Sequence, residues 1–165
     1  MEKRDLIAYE RVKNNLVRIA REVAVRGCNH RGFKVGCAVF VWRPEGVGLS
    51  EKYRIFKAAN AKPLRDSRKF CAEMTAVNFA RSNGYERVIA IAIAGLPQPD
   101  GGSGIESKTL HSCEDCRPFL AALPEVMRDT RILTIHNHTG LVEEFTLEEM
   151  LRIHGDPIPW EAMPV

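Results

Sequence analysis

Hydrophobic and polar positions along this chain follow two rhythms. From Leu6 to Val25, residues Leu6, Ile7, Leu16, Ile19, Ala20 and Val23 fall near helical spacing with Arg and Glu between them, which predicts an amphipathic helix. Gly27 and Gly32 bracket a polar break. Val35 to Trp42 is a compact apolar run rich in β-formers and predicts a buried strand. Pro44, Gly46 and Gly48 turn the chain, and Tyr53 to Ala59 predicts a second strand returning beside the first. A basic loop with Lys62, Arg65, Arg68 and Lys69 then leads to Cys71. Ala72 to Arg81 contains good helix formers and no Gly or Pro, with a stop at Asn83-Gly84.

The second half continues the alternation. Val88 to Ala94 is nearly all apolar, as expected of a strand covered on both faces in a parallel arrangement. A Gly- and Pro-rich loop, Gly95 to Gly104, follows, and Lys108 to His111 leads into Ser112-Cys113-Glu114-Asp115-Cys116. A short helix is expected from Asp115 or Cys116 to about Leu123, since Pro118 is tolerated only in a first turn. Arg131 to His136 reads as a fourth strand, Glu143 to Phe145 as a fifth at the edge, and Thr146 as the cap of a last helix through Leu151. The tail from Pro157 is expected to be irregular. Alternating strands and helices predict an α/β domain, a mixed central β-sheet of about five strands covered by helices, with residues 1–165 as a single domain.

Composition narrows the function classes. Hydrophobic residues at 45% and charged residues at 27% are the balance of a soluble globular chain, and a net charge of +3 is too small to argue for nucleic acid. No apolar run approaches the ~20 residues of a membrane span, and the charged opening lacks the apolar core of a secretion signal. A cytoplasmic protein is therefore expected. Five cysteines in a reducing compartment are more often buried, metal-bound or catalytic than paired. Cys28 and Cys37 stand apart and read as small buried side chains.

Cys71, Cys113 and Cys116 need more explanation. Both cysteine groups fall at expected helix starts, where free N–H groups and the helix dipole favour a thiolate. Two ligands on one turn and a third on another helix can form three corners of a zinc tetrahedron, leaving the fourth position for water. Glu73, two residues past Cys71, can reach that fourth position without being a ligand and can take a proton there. This arrangement is the known signature of zinc deaminases, in which a Glu serves as general acid/base. The bland alternative is a closed structural zinc site with His111, His136 or His138 as fourth ligand. His136 and His138 would share a face of a strand; His30 and His154 read as surface or loop residues.

From about Leu6 to Leu151 the chain resembles the cytidine deaminase family, particularly its small three-cysteine members, a group that includes blasticidin-S deaminase-like proteins. Phe33-Lys34-Val35-Gly36-Cys37-Ala38 resembles the family's Phe-x-Val-Gly-Ala-Ala strand, and Ala59-Asn60 its sugar-contacting Asn. Cys71-Ala72-Glu73 matches C-A-E, and Ser112 to Arg117 is similar to P-C-x-x-C-R. Phe145 to Leu151 resembles the closing Thr-Leu-x-x-Leu-Leu segment. The resemblance implies a three-layer sandwich, a Zn2+ cofactor and a homo-oligomer, a tetramer before a dimer. It also implies a mechanism in which zinc-activated hydroxide attacks the amine-bearing carbon of an aminopyrimidine, Glu73 moves the protons and ammonia leaves. Phe33 would pack near the substrate, Asn60 would contact a sugar hydroxyl and the Ala72 N–H would bind the ring carbonyl. On apolarity alone Phe33 also fits core packing, and Asn60 fits a turn after a strand.

Three departures mark this chain. Lys62 stands where the family carries a Glu two positions after the sugar-binding Asn, so a group that can only donate replaces an acceptor. Plain cytidine is thereby put in doubt as substrate, and Lys62 with its basic neighbours suits a phosphate or other anionic substituent, although a solvated basic loop is the commoner meaning. Met74 occupies the place of an Arg that often follows the Glu in three-cysteine relatives. Three thiolates on Zn2+ leave a net negative centre, to be offset by Arg117 or by a basic residue of the 62–69 loop. Ser112 replaces the Pro before the cysteine pair, and the Gly95–Gly104 loop is longer than usual. The leading expectation is a small-molecule deaminase. A nucleic-acid editor would need a basic and aromatic track, and aromatic residues are only 7%. A zinc-stabilised interaction module would have no use for Glu73.

Overall fold

Helices on both faces of one sheet set the layering. In the computed structural model, which describes residues 1–44, 52–97 and 107–161, helix α1 (Lys3–Ala24) lies across one face of a five-stranded sheet. The strands are β2 (Gly36–Trp42), β3 (Tyr53–Ala59), β5 (Arg87–Gly95), β6 (Val126–His136) and β7 (Val142–Thr146), in the order β3-β2-β5-β6-β7. A separate parallel ladder joins β1 (Cys28–Asn29) to β4 (Ala61–Lys62). Helices α2 (Ala72–Ser82), α3 (Cys116–Ala121) and α4 (Leu147–His154) cover the other face. The result is the expected three-layer α/β arrangement around a mixed sheet: β5 and β6 run parallel, and the other neighbouring strands are antiparallel.

Side-chain size alternates with the pleat of β5. Ala90, Ala92 and Ala94 join the core under α1, whereas Ile91 and Ile93 join the core under α2 and α4. The small side chains let α1 approach closely, and Gly36 marks the tightest point. A Cβ there would lie 2.2 Å from the Ala20 carbonyl oxygen and 2.5 Å from the Ala24 nitrogen. Neither backbone atom can yield without moving the helix. Gly36→Val is accordingly expected to lower unfolding stability by at least about 2 kcal/mol, read as an earlier urea midpoint at unchanged slope.

The elements differ from the periodicity reading mainly at their ends. Helix α1 starts at Lys3, before Leu6, and α3 stops at Ala121, short of Leu123. Strand β6 begins at Val126, five residues before Arg131. Its opening residues, Met127 to Thr130, carry no apolar alternation. They are held by the Thr130 hydroxyl, which accepts from Met127 N–H at 3.0 Å and donates to the Val88 carbonyl at 2.9 Å. Helix α4 runs to His154, past Leu151, between a Thr146–Glu149 capping box and a left-handed Gly155 at φ 66°. His138 lies in the turn after β6, so it does not share a strand face with His136. Residues 157–161 contain neither helix nor strand. The turn at Gly46 and Gly48, most of the Gly95–Gly104 loop and residues 162–165 lie outside the described residues.

Candidate metal centre and its cavity

Cys71 is the N-cap of α2 and Cys116 opens α3, so two helix ends deliver sulfurs to one place. The turn before α3 is closed by bonds from Cys116 N–H (3.0 Å) and Arg117 N–H (3.1 Å) to the Cys113 carbonyl, which brings Cys113 back over Cys116. The three sulfurs lie within 4.8 Å of one another. A tetrahedral zinc with ~2.3 Å Zn–S bonds sets its sulfurs about 3.8 Å apart, and Cys71 Sγ and Cys113 Sγ are separated by 3.8 Å. The donor set therefore fits zinc. Among the described residues no histidine joins this cluster: His111 Nδ1 instead bonds His154 Nε2 at 2.9 Å.

Hydrogen bonds among the three sulfurs push their acidities apart. Bonds from Cys116 and Cys71 hold the Cys113 thiol far below its ordinary value, and the same bond to Cys113 pushes Cys71 up to about 12. Cys116 is likewise raised by its bonds to Cys113 and Cys71. Glu73 is 4% exposed; burial, and then the charge at Cys113, push its carboxyl up to about 7. A carboxyl near neutrality can both take and give a proton.

A cavity of about 520 Å3 includes Cys71, Ala72, Glu73 and Cys113 in its lining. Phe33, Asn60 and Lys62 line the same cavity, so all the expected substrate residues meet there. Asn60 has a structural duty as well. Its Oδ1 accepts from Val35 N–H at 2.8 Å and its Nδ2 donates to the Phe33 carbonyl at 3.1 Å, tying the Phe33–Val35 segment to the end of β3. One amide N–H remains for a ligand. Phe33 packs half-buried against the core beside this tie and also lines the cavity.

No protein-family model matches the chain, and no curated protein matches it significantly. Solved structures do. Cytidine deaminase from Burkholderia pseudomallei superposes with a TM-score of 0.63 at 21% identity, covering 83% of this chain and 94% of that one. The enzyme from Mycobacterium leprae gives 0.54 at 20% identity, covering 85% and 94%, and that from Mycobacterium tuberculosis 0.51 at 20%, covering 84% and 92%. The chain has the cytidine deaminase fold.

Within this cytidine deaminase fold, Lys69 stands out as a residue that periodicity could not single out from the basic loop. Its ammonium is 3.7 Å from Cys113 Sγ and is bonded to Asp115. Burial works against its charge, but the Asp115 bond and the charges at Cys113 and Cys71 hold it well above the ordinary lysine value. Arg117, the other candidate to offset the thiolates, is committed elsewhere. Its Nη1 donates to the Ser112 carbonyl at 2.7 Å and its Nε bonds Asp156. His154, expected on the surface, instead lines the cavity with His111. The longer α4 carries it there. No helix among the described residues is long and apolar enough to cross a membrane.

Proposed function

We propose that the chain is a zinc-dependent hydrolytic deaminase of a cytidine-like nucleoside or related aminoheterocycle. One observation carries this reading: three sulfurs converge at one small-molecule cavity, lined by Cys71, Cys113 and the buried carboxyl of Glu73, with Cys116 buried behind them. Zinc on Cys71, Cys113 and Cys116 would supply the Lewis acidity that makes water a nucleophile near neutral pH. Glu73 takes a proton from that water and passes it to the ring nitrogen. The water oxygen bonds to the amine-bearing carbon; Glu73 then takes the remaining proton from that oxygen and gives it to the amine, and the C–N bond breaks as the C=O bond forms, releasing ammonia. The product is the keto compound. In this reading the backbone N–H of Ala72, at the start of α2, binds the ring carbonyl, Phe33 packs on the ring and Asn60 offers its spare N–H to a sugar; that all three residues line the cavity supports it.

Lys62 in place of the family's Glu makes the sugar end the point at which the substrate departs from plain cytidine. The reading includes a homo-oligomer, a tetramer before a dimer, and the cytoplasm, whose reducing conditions keep five thiols free. Ammonia release across free nucleosides, nucleotides, bases and aminopyrimidine antibiotics is the test. Turnover of at least one aminopyrimidine is expected; none across the panel by zinc-loaded protein overturns the reading. Light scattering should give a multimeric mass, and a monomeric active enzyme would remove the oligomer.

A further inference from the structure

The β1–β4 ladder has a consequence for charge. Cys28 N–H donates to the Asn60 carbonyl at 3.0 Å and His30 N–H to the Lys62 carbonyl at 2.9 Å, fastening residues 28–30 alongside residues 60–62. The turn that follows is set by Asn29, whose side chain accepts from Arg31 N–H at 2.8 Å and whose carbonyl accepts from Gly32 N–H at 2.8 Å. Arg31 and Lys62, 31 positions apart in sequence, thus line the same cavity. Arg65 lines it too, from the loop pinned by Ser67 Oγ on the Leu64 carbonyl at 2.8 Å.

None of these three side chains has a hydrogen-bond or ion-pair partner among the described residues. Surface cations elsewhere do find carboxylates: Arg81 reaches Glu125 and Arg87 reaches Asp5. Of the fourth cation in the lining, Lys69, the charge is already spent on Asp115 and Cys113. The acids of the lining besides Glu73 are Asp66 and Glu114, and neither is paired with Arg31, Lys62 or Arg65. Three unpaired cations line one cavity, and a dianion bound there would meet their charge while accepting forked bonds from Arg. At about 520 Å3 the cavity falls within the ~300–1,000 Å3 of small-molecule sites.

We infer that Arg31, Lys62 and Arg65 form a phosphate subsite, so that the substrate is an aminopyrimidine nucleotide bearing a phosphomonoester. The inference rests on the deaminase reading for the identity of the base, while the subsite itself is a binding property and is tested as one. Zinc-loaded Glu73→Gln protein is titrated calorimetrically with cytidine, cytidine 3′-monophosphate and cytidine 5′-monophosphate, and the same three compounds are compared by kcat/KM in the parent. One monophosphate is expected to bind at least about ten-fold tighter than cytidine. The Arg31→Met/Lys62→Met double variant, with its melting temperature checked, is expected to lose most of that advantage. A ratio near one in the parent, or an advantage that survives the double substitution, overturns the subsite. Absence of ammonia release with the binding preference intact would sink the deaminase reading and leave the subsite standing.

Discussion

Glu73→Gln is expected to keep one zinc per chain and to lose a factor of roughly 10²–10⁴ in kcat, with a small change in KM. The side chain is nearly fully buried at the cavity wall, where burial and the Cys113 charge bring the acid close to neutrality. An amide of almost the same volume preserves packing and contributes nothing to ligation, but it can neither accept the proton of the attacking water nor return it. The loss should therefore fall on kcat and kcat/KM together, the pattern of an interaction made in the transition state. Zinc content by atomic absorption and steady-state rates on the best substrate provide the check. Undiminished kcat in a zinc-loaded variant would remove Glu73 from proton transfer.

Zinc binding itself should respond in two grades. Cys116→Ala removes a fully buried proposed ligand from the turn that also positions Cys113, and is expected to abolish stoichiometric zinc and turnover together. Lys69→Met removes no ligand. It deletes the ammonium beside Cys113 and leaves the three-thiolate centre with an uncompensated negative charge, for which a loss of roughly 10–100-fold in zinc affinity is expected. Competition against a chromogenic chelator measures both. Lys69→Arg should restore much of the affinity, because the charge and donor remain. If Lys69→Met holds zinc as tightly as the parent, the contact with Cys113 carries no weight, and the thiolate charge must be offset by the helix ends.

The sequence determined by itself what depends on local pattern. Helical spacing over Leu6 to Val25 and the apolar runs at Val35 to Trp42 and Val88 to Ala94 were enough for the layers, because burying an apolar face requires a partner layer. Cys71-Ala72-Glu73 and the Cys113/Cys116 pair likewise showed the donor set, since ligand type and spacing constrain a metal site before any fold is known. Element ends were less legible. Residues 127–130 extend the strand with the Thr130 hydroxyl bridging two backbones, a bond that polar residues in sequence do not announce. Tertiary structure alone decided which cation meets the thiolates. Lys62, Arg65, Arg68 and Lys69 look equivalent along the loop, yet Lys69 alone contacts Cys113, whereas Arg117, adjacent to a ligand in sequence, turns to Asp156. It also decided that Arg31 lines the cavity with Lys62. Charge is a property of each residue, but the place where charges add is set by chain crossings, here a two-residue ladder too short for any periodicity to reveal.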